Sequence, residues 1–242
     1  MTRIHEGHGP PPDVPGGPQA LPGDLRPGFP GVGGRGDFGE LKEQIDLRRL
    51  PSFTTERLAV RPMRKSDAHA IFEIKKDEQV TTRYAHEPYR SPEEARKWIR
   101  DRLSAQGAKD SAFWVIVPKG EALAVGAVCF WHFDHISRRA EIGYELGRPS
   151  WGKGYMSEAL PPIISFGFER LRLSRIEACP FAGNEASRGV LVKLGFKYEG
   201  TLRQHDIFRE RRLDLTYYGL LREEWEGGPS TPGGRAPTYA PM

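Results

Sequence analysis

The chain's most chemically loaded stretch is Trp151-Gly152-Lys153-Gly154-Tyr155-Met156. It follows the segment Glu141-Ile142-Gly143-Tyr144-Glu145-Leu146 and precedes Ser157-Glu158-Ala159-Leu160. The order reads as a strand, a glycine turn and a helix start. The first N–H groups of a helix have no internal acceptors. With the positive dipole end they bind phosphate oxygens. Gly152 and Gly154 lack Cβ atoms, so the backbone can take positive φ and approach a diphosphate closely. Lys153 adds a point charge at the rim. Neither GxxxxGK[ST] nor GxGxxG spacing is present at this turn, which sets aside the P-loop and the dinucleotide fingerprint.

The elements that must carry this turn are legible on both sides of it. Arg57 to Arg61 alternates polar and apolar residues as a half-buried strand does, and Pro62 ends it. Ser66 and Asp67 offer an N-cap before Ala70, Ile71 and Ile74. Ser91-Pro92-Glu93-Glu94 has the form of a capping box, with Pro at the first helical position, leading into Trp98, Ile99 and Leu103. Three extended runs follow, Ala112–Val117, Ala122–Phe133 and Arg139–Leu146, with short turns that suit an antiparallel meander. After Gly154 the spacing predicts a helix to about Glu169, which Pro161 and Pro162 are expected to kink. A strand at Arg175–Cys179 and a helix at Asn184–Leu194 come next. The strands Lys197–Arg203 and Leu213–Leu221 close the pattern. This order argues for a mixed α/β sheet with helices on both faces.

The ends differ in composition. Gly7 to Gly36 is dominated by Gly and Pro, and such a stretch cannot nucleate a core. The tail from Gly227 has the same character. The expected division is a mostly disordered extension at 1–50, a folded domain at 51–225 and a disordered tail at 226–242. A short amphipathic helix from Phe38 to Leu50 would lead into the domain. The net charge is only +4 and basic residues are interleaved with acids, as in Arg209-Glu210-Arg211-Arg212. That argues against a nucleic-acid face. No apolar run reaches the length of a membrane span, and no secretory signal is evident. Cys129 and Cys179 form no CxxC or Cys/His cluster, so reduced thiols, a cytoplasmic location and no metal are expected.

Downstream of the turn stand Arg175-Ile176-Glu177-Ala178, Asn184-Glu185-Ala186-Ser187 and Lys193-Leu194-Gly195-Phe196. Together with the EIGYEL strand and WGKGY turn, this set resembles the GNAT acetyltransferases, most closely the RimJ/RimL-type branch that acetylates ribosomal-protein N-termini. The resemblance covers roughly Phe53 to Trp225. It implies a mostly antiparallel twisted sheet of about seven strands, whose central parallel pair splays apart to take the pantetheine of acetyl-CoA. It also implies that Gly152, Lys153, Gly154, Tyr155 and Met156 meet the pyrophosphate and that Asn184 reaches the cofactor. Asn184 also suits a helix N-cap, and both roles can coexist. Trp151 stands where much of the family has a basic or amide residue, and Met156 where it has a small one.

Acyl transfer to an amine needs a neutral amine, a stabilised oxyanion and a protonated leaving thiol. The resemblance offers Glu141 or Asp206 as the base and Ser187 as the acid, because Leu191 occupies the position of the family's frequent proton-donating Tyr. As a plain strand residue Glu141 would instead be solvated or salt-bridged beside Arg138 and Arg139, and Asp206 would be a turn acid. His205 is a further titratable candidate. Tyr84, His86, Trp114, Trp131 and Phe133 are aromatic candidates for the acceptor cleft, of which one or two would face substrate. The resulting expectation is an N-acetyltransferase acting on a primary amine, with a protein N-terminus first among acceptors. Aminoglycosides, polyamines or amino acids, and a catalytically silent CoA-binding module, are the alternatives. Expected partners are acetyl-CoA and the amine acceptor, with a homodimer left open.

Overall fold

The computed structural model describes residues 47, 49–107 and 110–226. Most of the expected terminal extensions lies outside these, as does most of the helix expected from Phe38; at that helix's expected end, Leu47 and Leu50 are buried in the core. The strands are β1 (Phe53–Thr54), β2 (Leu58–Pro62), β3 (Ala112–Pro118), β4 (Gly126–Asp134), β5 (Arg139–Leu146), β6 (Arg175–Ala178), β7 (Lys197–Phe208) and β8 (Arg211–Leu221). The helices are α1 (Ala68–Lys75), α2 (Glu78–Thr81), α3 (Pro92–Gly107), α4 (Tyr155–Glu169), α5 (Glu185–Lys193) and α6 (Arg222–Glu226). The strands form one sheet in the order β1-β2-β3-β4-β5-β6-β8-β7. Only β5 and β6 are parallel. A parallel neighbour requires a crossover, and here that crossover carries α4.

The sheet has eight strands, one more than the seven expected. The addition is β1, whose two residues pair with Val60 and Ala59 and are too short to give a period. Both faces are covered. Trp114, Ile116, Val128 and Phe130 join the core beneath α4 and α5, while Phe113, Val115, Val117 and Cys129 join that beneath α1 and α3. Burial on both sides is why β3 reads as an unbroken apolar run.

α4 runs through Pro161 and Pro162 to Glu169, the end expected for it. Each interior proline costs about 3 kcal/mol. Full burial of Leu160, Ile163 and Ile164, with Phe166 and Phe168 close behind, contributes about 1.5–3 kcal/mol per side chain. Packing wins. The last hairpin is longer than expected: Asp206 lies within β7, opposite Leu213, not in a loop. Register shifts at Tyr198/Gly200 and Leu202/Asp206 break the alternation that would have marked the strand. The turn itself is Arg209-Glu210, with φ of 48° and 64°, as a two-residue hairpin turn of the I′ kind requires. Arg209 pairs with Glu78 and Glu87, tying the hairpin tip to the α2 region.

Candidate functional site

β5 and β6 pair at only three positions: Arg139 with Arg175, Ala140 with Ile176 and Glu141 with Glu177. Pro180 follows soon after, and a proline has no N–H with which to extend a ladder. The chain turns to β8 instead. Thr216 N–H donates to the Pro180 carbonyl at 2.9 Å, and Ala182 N–H to the Asp214 carbonyl at 2.9 Å. Ile142 to Leu146 therefore have β4 as their only sheet neighbour among the described residues. Since α4 follows β5 and α5 follows β6, the gap opens at the carboxyl ends of two parallel strands, where open α/β sheets take ligands.

The glycine turn forms one lip of the gap. Gly152 and Gly154 have φ of 71° and 75°, and Gly154 is the left-handed N-cap of α4. A Cβ on Gly152 would meet nothing within 4 Å, so its backbone is open to approach. The N–H groups of Tyr155, Met156 and Ser157 precede the first full helical turn and lack helical acceptors. Lys153 is exposed and Met156 is buried in the core. Trp151 plays a structural part. Its indole N–H donates to the Leu146 carbonyl at 2.8 Å, closing the turn onto the end of β5. Arg57, invisible to sequence reasoning in this role, braces the turn from below. It donates to the Lys153 carbonyl at 2.9 Å and pairs with Glu158 at 2.6 Å.

The second lip is the start of α5. Asn184 is its N-cap, and the carboxamide oxygen accepts from the Ser187 N–H at 3.3 Å. The Arg83 guanidinium lies 3.5 Å from that oxygen and 4.4 Å over the Trp151 ring, so one cation reaches both lips. The Ser187 hydroxyl is 2.8 Å from the Tyr144 hydroxyl, which projects from the parted half of β5. Burial pushes the Tyr144 phenol up to about 12, so it stays protonated at neutral pH. Leu191 is fully buried in the core.

Glu141 sits where the strands part, and its partner is His132 at 3.1 Å, not Arg138 or Arg139. Arg139 turns to Glu177 and Asp134. A bulge in β4 between Trp131 and Asp134, with His132 at φ 48°, re-aims the imidazole toward the carboxylate. The hydrogen bond that the His132 ring donates to Glu141 raises the His132 pKa above its ordinary value. Sequence reasoning missed His132, because no local signal marks the bulge. Asp206 contacts none of these groups among the described residues. It lies 3.2 Å from the His205 ring nitrogen and opposite Leu213. Leu213 is four residues along β8 from Tyr217, roughly 13 Å, and Tyr217 is the residue hydrogen-bonded to Cys179 near Glu141. Burial pushes the Cys179 thiol up, leaving it unreactive as a thiolate.

A third cluster, also missed, fixes the parted half of β5 from the other face. Lys75 and Glu145 form a buried pair at 2.9 Å, and the Tyr84 hydroxyl donates to Glu145 at 2.7 Å. The Lys75 ammonium is surrounded by the rings of Tyr84, Tyr89 and Trp98 at 4.9, 5.7 and 4.6 Å. Of the aromatic candidates, Tyr84 thus belongs to this network. Trp114 is core, with its indole N–H on the Pro51 carbonyl at 2.9 Å. Trp131 lies over Gly143.

Residues 57–197 match the acetyltransferase (GNAT) domain family. The chain is 35% identical over 173 residues to YoaA of Bacillus subtilis (strain 168), an uncharacterized N-acetyltransferase, covering 72% of this chain and 98% of that protein. It is 37% identical over 180 residues to the uncharacterized N-acetyltransferase p20 of Bacillus licheniformis, covering 74% and 100%. Among solved structures it is similar to ribosomal-protein-S5-alanine acetyltransferase from Vibrio fischeri, with a TM-score of 0.61, 26% identity and coverage of 72% and 98%. With the parted β5–β6 pair between two helix starts already in view, these likenesses place the chain in the GNAT family as an N-acetyltransferase.

Proposed function

We propose that the chain transfers the acetyl group of acetyl-CoA to a primary amine in a ternary complex, and that the amine is the N-terminus of a polypeptide. The observation that carries this reading is the parting of β5 from β6 beside the Gly152–Gly154 turn. A strand edge without a neighbour offers amide groups to the pantetheine arm as a sheet offers them to an added strand. The backbone from Gly152 to Met156 takes the diphosphate, with Lys153 at its rim and Asn184 on the facing lip.

The chemistry follows from which groups flank the gap. Glu141 removes the amine proton through water, and His132 tunes it. The amine nitrogen attacks the thioester carbonyl, the carbon–sulfur bond breaks, and the thiolate takes a proton from Ser187, which the protonated Tyr144 hydroxyl supports. Alignment of both reactants in one cleft supplies much of the rate. Asp206 remains a second base candidate, reachable only by an acceptor that extends along the hairpin. The polypeptide reading takes its support from the hairpin tip, which Arg209 holds against the α2 region.

The test is free-thiol release from acetyl-CoA with a panel of N-terminal peptides, polyamines, aminoglycosides and amino acids. Peptides are expected to release thiol fastest. Release with polyamines alone would move the acceptor to small molecules, and binding of acetyl-CoA without any release would make the chain a silent module.

A further inference from the structure

One donor beside the parted half of β5 is left over. The Trp131 indole N–H is buried and has no hydrogen-bond partner among the described residues. Buried N–H groups without an acceptor are rare, because nothing repays their loss of water. In the same chain the indoles of Trp114, Trp151 and Trp225 all donate, to Pro51, Leu146 and Ser165 respectively. Trp131 is the exception among these four.

Its position makes the exception informative. Trp131 on β4 is the direct cross-strand partner of Glu141 on β5. Cross-strand partners project on the same face of a sheet, so indole and carboxylate stand side by side. The ring leans along the strand over Gly143. A Cβ built there would meet the Trp131 Cζ2 and Cε2 atoms at 3.7 and 3.8 Å, and Cys129 Sγ at 3.1 Å. Nε1 is bonded to Cε2, so the donor lies beside the strand between Glu141 and Glu145. The His132 ring stacks on Trp131 at 5.1 Å, with 19° between planes, fixing the indole beside the pair that His132 makes with Glu141. Glu145 is already engaged by Lys75 and Tyr84. The groups left to meet a ligand at this spot are therefore the Glu141 carboxylate, which His132 holds through one oxygen, and one N–H that needs an oxygen.

We propose that Trp131 reads the acceptor: its indole N–H donates to the carbonyl oxygen one carbon away from the amine that Glu141 deprotonates. The ligand class is an α-amino carbonyl compound, the pattern found at every peptide N-terminus and absent from polyamines and simple alkylamines. This inference rests on the transfer reaction proposed above and assigns its specificity to one residue.

The test compares wild type with Trp131→Phe, which keeps a ring and removes the donor. Three acceptors are used: a short peptide with a free N-terminus, alanine amide, and sec-butylamine, which keeps the amine on a branched carbon but lacks the carbonyl. The readout is the ratio of wild-type to variant kcat/KM for each acceptor, in which the amine's own pKa cancels. The ratio is expected to be about tenfold for peptide and alanine amide, as for a hydrogen bond lost from a dry site, and near one for sec-butylamine. A response from the peptide but not the amide would show that the rest of the chain is needed to seat the carbonyl, and still supports the assignment. Equal ratios for all three acceptors would overturn it, as would no change for any. An unchanged acetyl-CoA Kd certifies that the variant is folded. If the variant does not fold, the wild-type comparison of alanine amide with alanine thioamide decides: a weaker acceptor in sulfur is expected to lose kcat/KM, and equal values overturn the assignment. Thiol release with no amine at all would overturn both this inference and the reaction it rests on.

Discussion

The two halves of β5 are held in place by different physics. From Arg139 to Glu141 the strand has a sheet neighbour on each side, and its outer charges make half-exposed ion pairs such as Arg139 with Glu177. From Ile142 to Leu146 one ladder is missing, and side chains replace it. Lys75 and Tyr84 hold Glu145 on one face, Ser187 meets Tyr144 on the other, and Trp151 caps Leu146 at the end. The comparison teaches how a sheet can keep a strand straight while leaving its edge free. The backbone groups released from pairing stay available only because buried side chains take over their structural role.

The contrast is broken most severely at Lys75. Lys75→Met leaves Glu145 buried without its cation, which is expected to cost about 3–5 kcal/mol in denaturant unfolding. Replacing both partners by apolar residues is expected to restore much of that loss. If Lys75→Met is as stable as wild type, the parted half is not held by this pair.

Next comes Glu141, at the border of the two halves. Glu141→Gln is expected to lower kcat about a hundredfold or more, as loss of a general base does. His132 sharpens this prediction through pH. Its pKa is raised by the Glu141 hydrogen bond, so the imidazolium persists above the ordinary histidine value and then loses its proton. Turnover should climb across that interval as Glu141 leaves the charged pair, and His132→Gln should remove this limb while leaving the limb due to the amine. The sign for stability is opposite. The contribution of a raised histidine is fully present below its unfolded-state pKa and is lost as pH rises through the folded one. Identical pH profiles for wild type and His132→Gln would remove His132 from the mechanism.

The smallest effect belongs to the paired half. Arg139 is nearly half exposed, and such ion pairs contribute about 0–1 kcal/mol. Arg139→Ala should change the unfolding free energy by less than about 1 kcal/mol and leave turnover unaltered. A larger loss would mean that the paired half depends on side chains as well.

What could be read from the residues in advance follows the same division. Local signals were legible: the Gly152–Gly154 turn, the Asn184 cap, the start of α3 after Ser91, and the apolar run of β3. So was the parting of the strands, through the resemblance those motifs carry. The groups that hold the gap open were not. Lys75 and Glu145 are 70 residues apart in sequence, and nothing in either neighbourhood announces the other. His132 reaches Glu141 only through a bulge, and Asp206 was misplaced by register shifts that erase alternation. Trp114 and Trp131 have similar sequence surroundings, yet one fills a core and the other covers a strand at the gap. Periodicity encodes which face a residue joins; it does not encode what lies across that face.

The central claim is that the parted strands and the Gly152–Gly154 turn together form the acetyl-CoA cleft. Calorimetric titration of acetyl-CoA into wild type and Gly154→Val tests it most directly, because a β-branched side chain is strained at φ 75° and lies where the diphosphate would approach. Wild type is expected to bind saturably. A Gly154→Val protein whose unfolding remains cooperative is expected to bind at least about tenfold more weakly, a difference of about 1.4 kcal/mol. Equal affinity in the two folded proteins would contradict the claim.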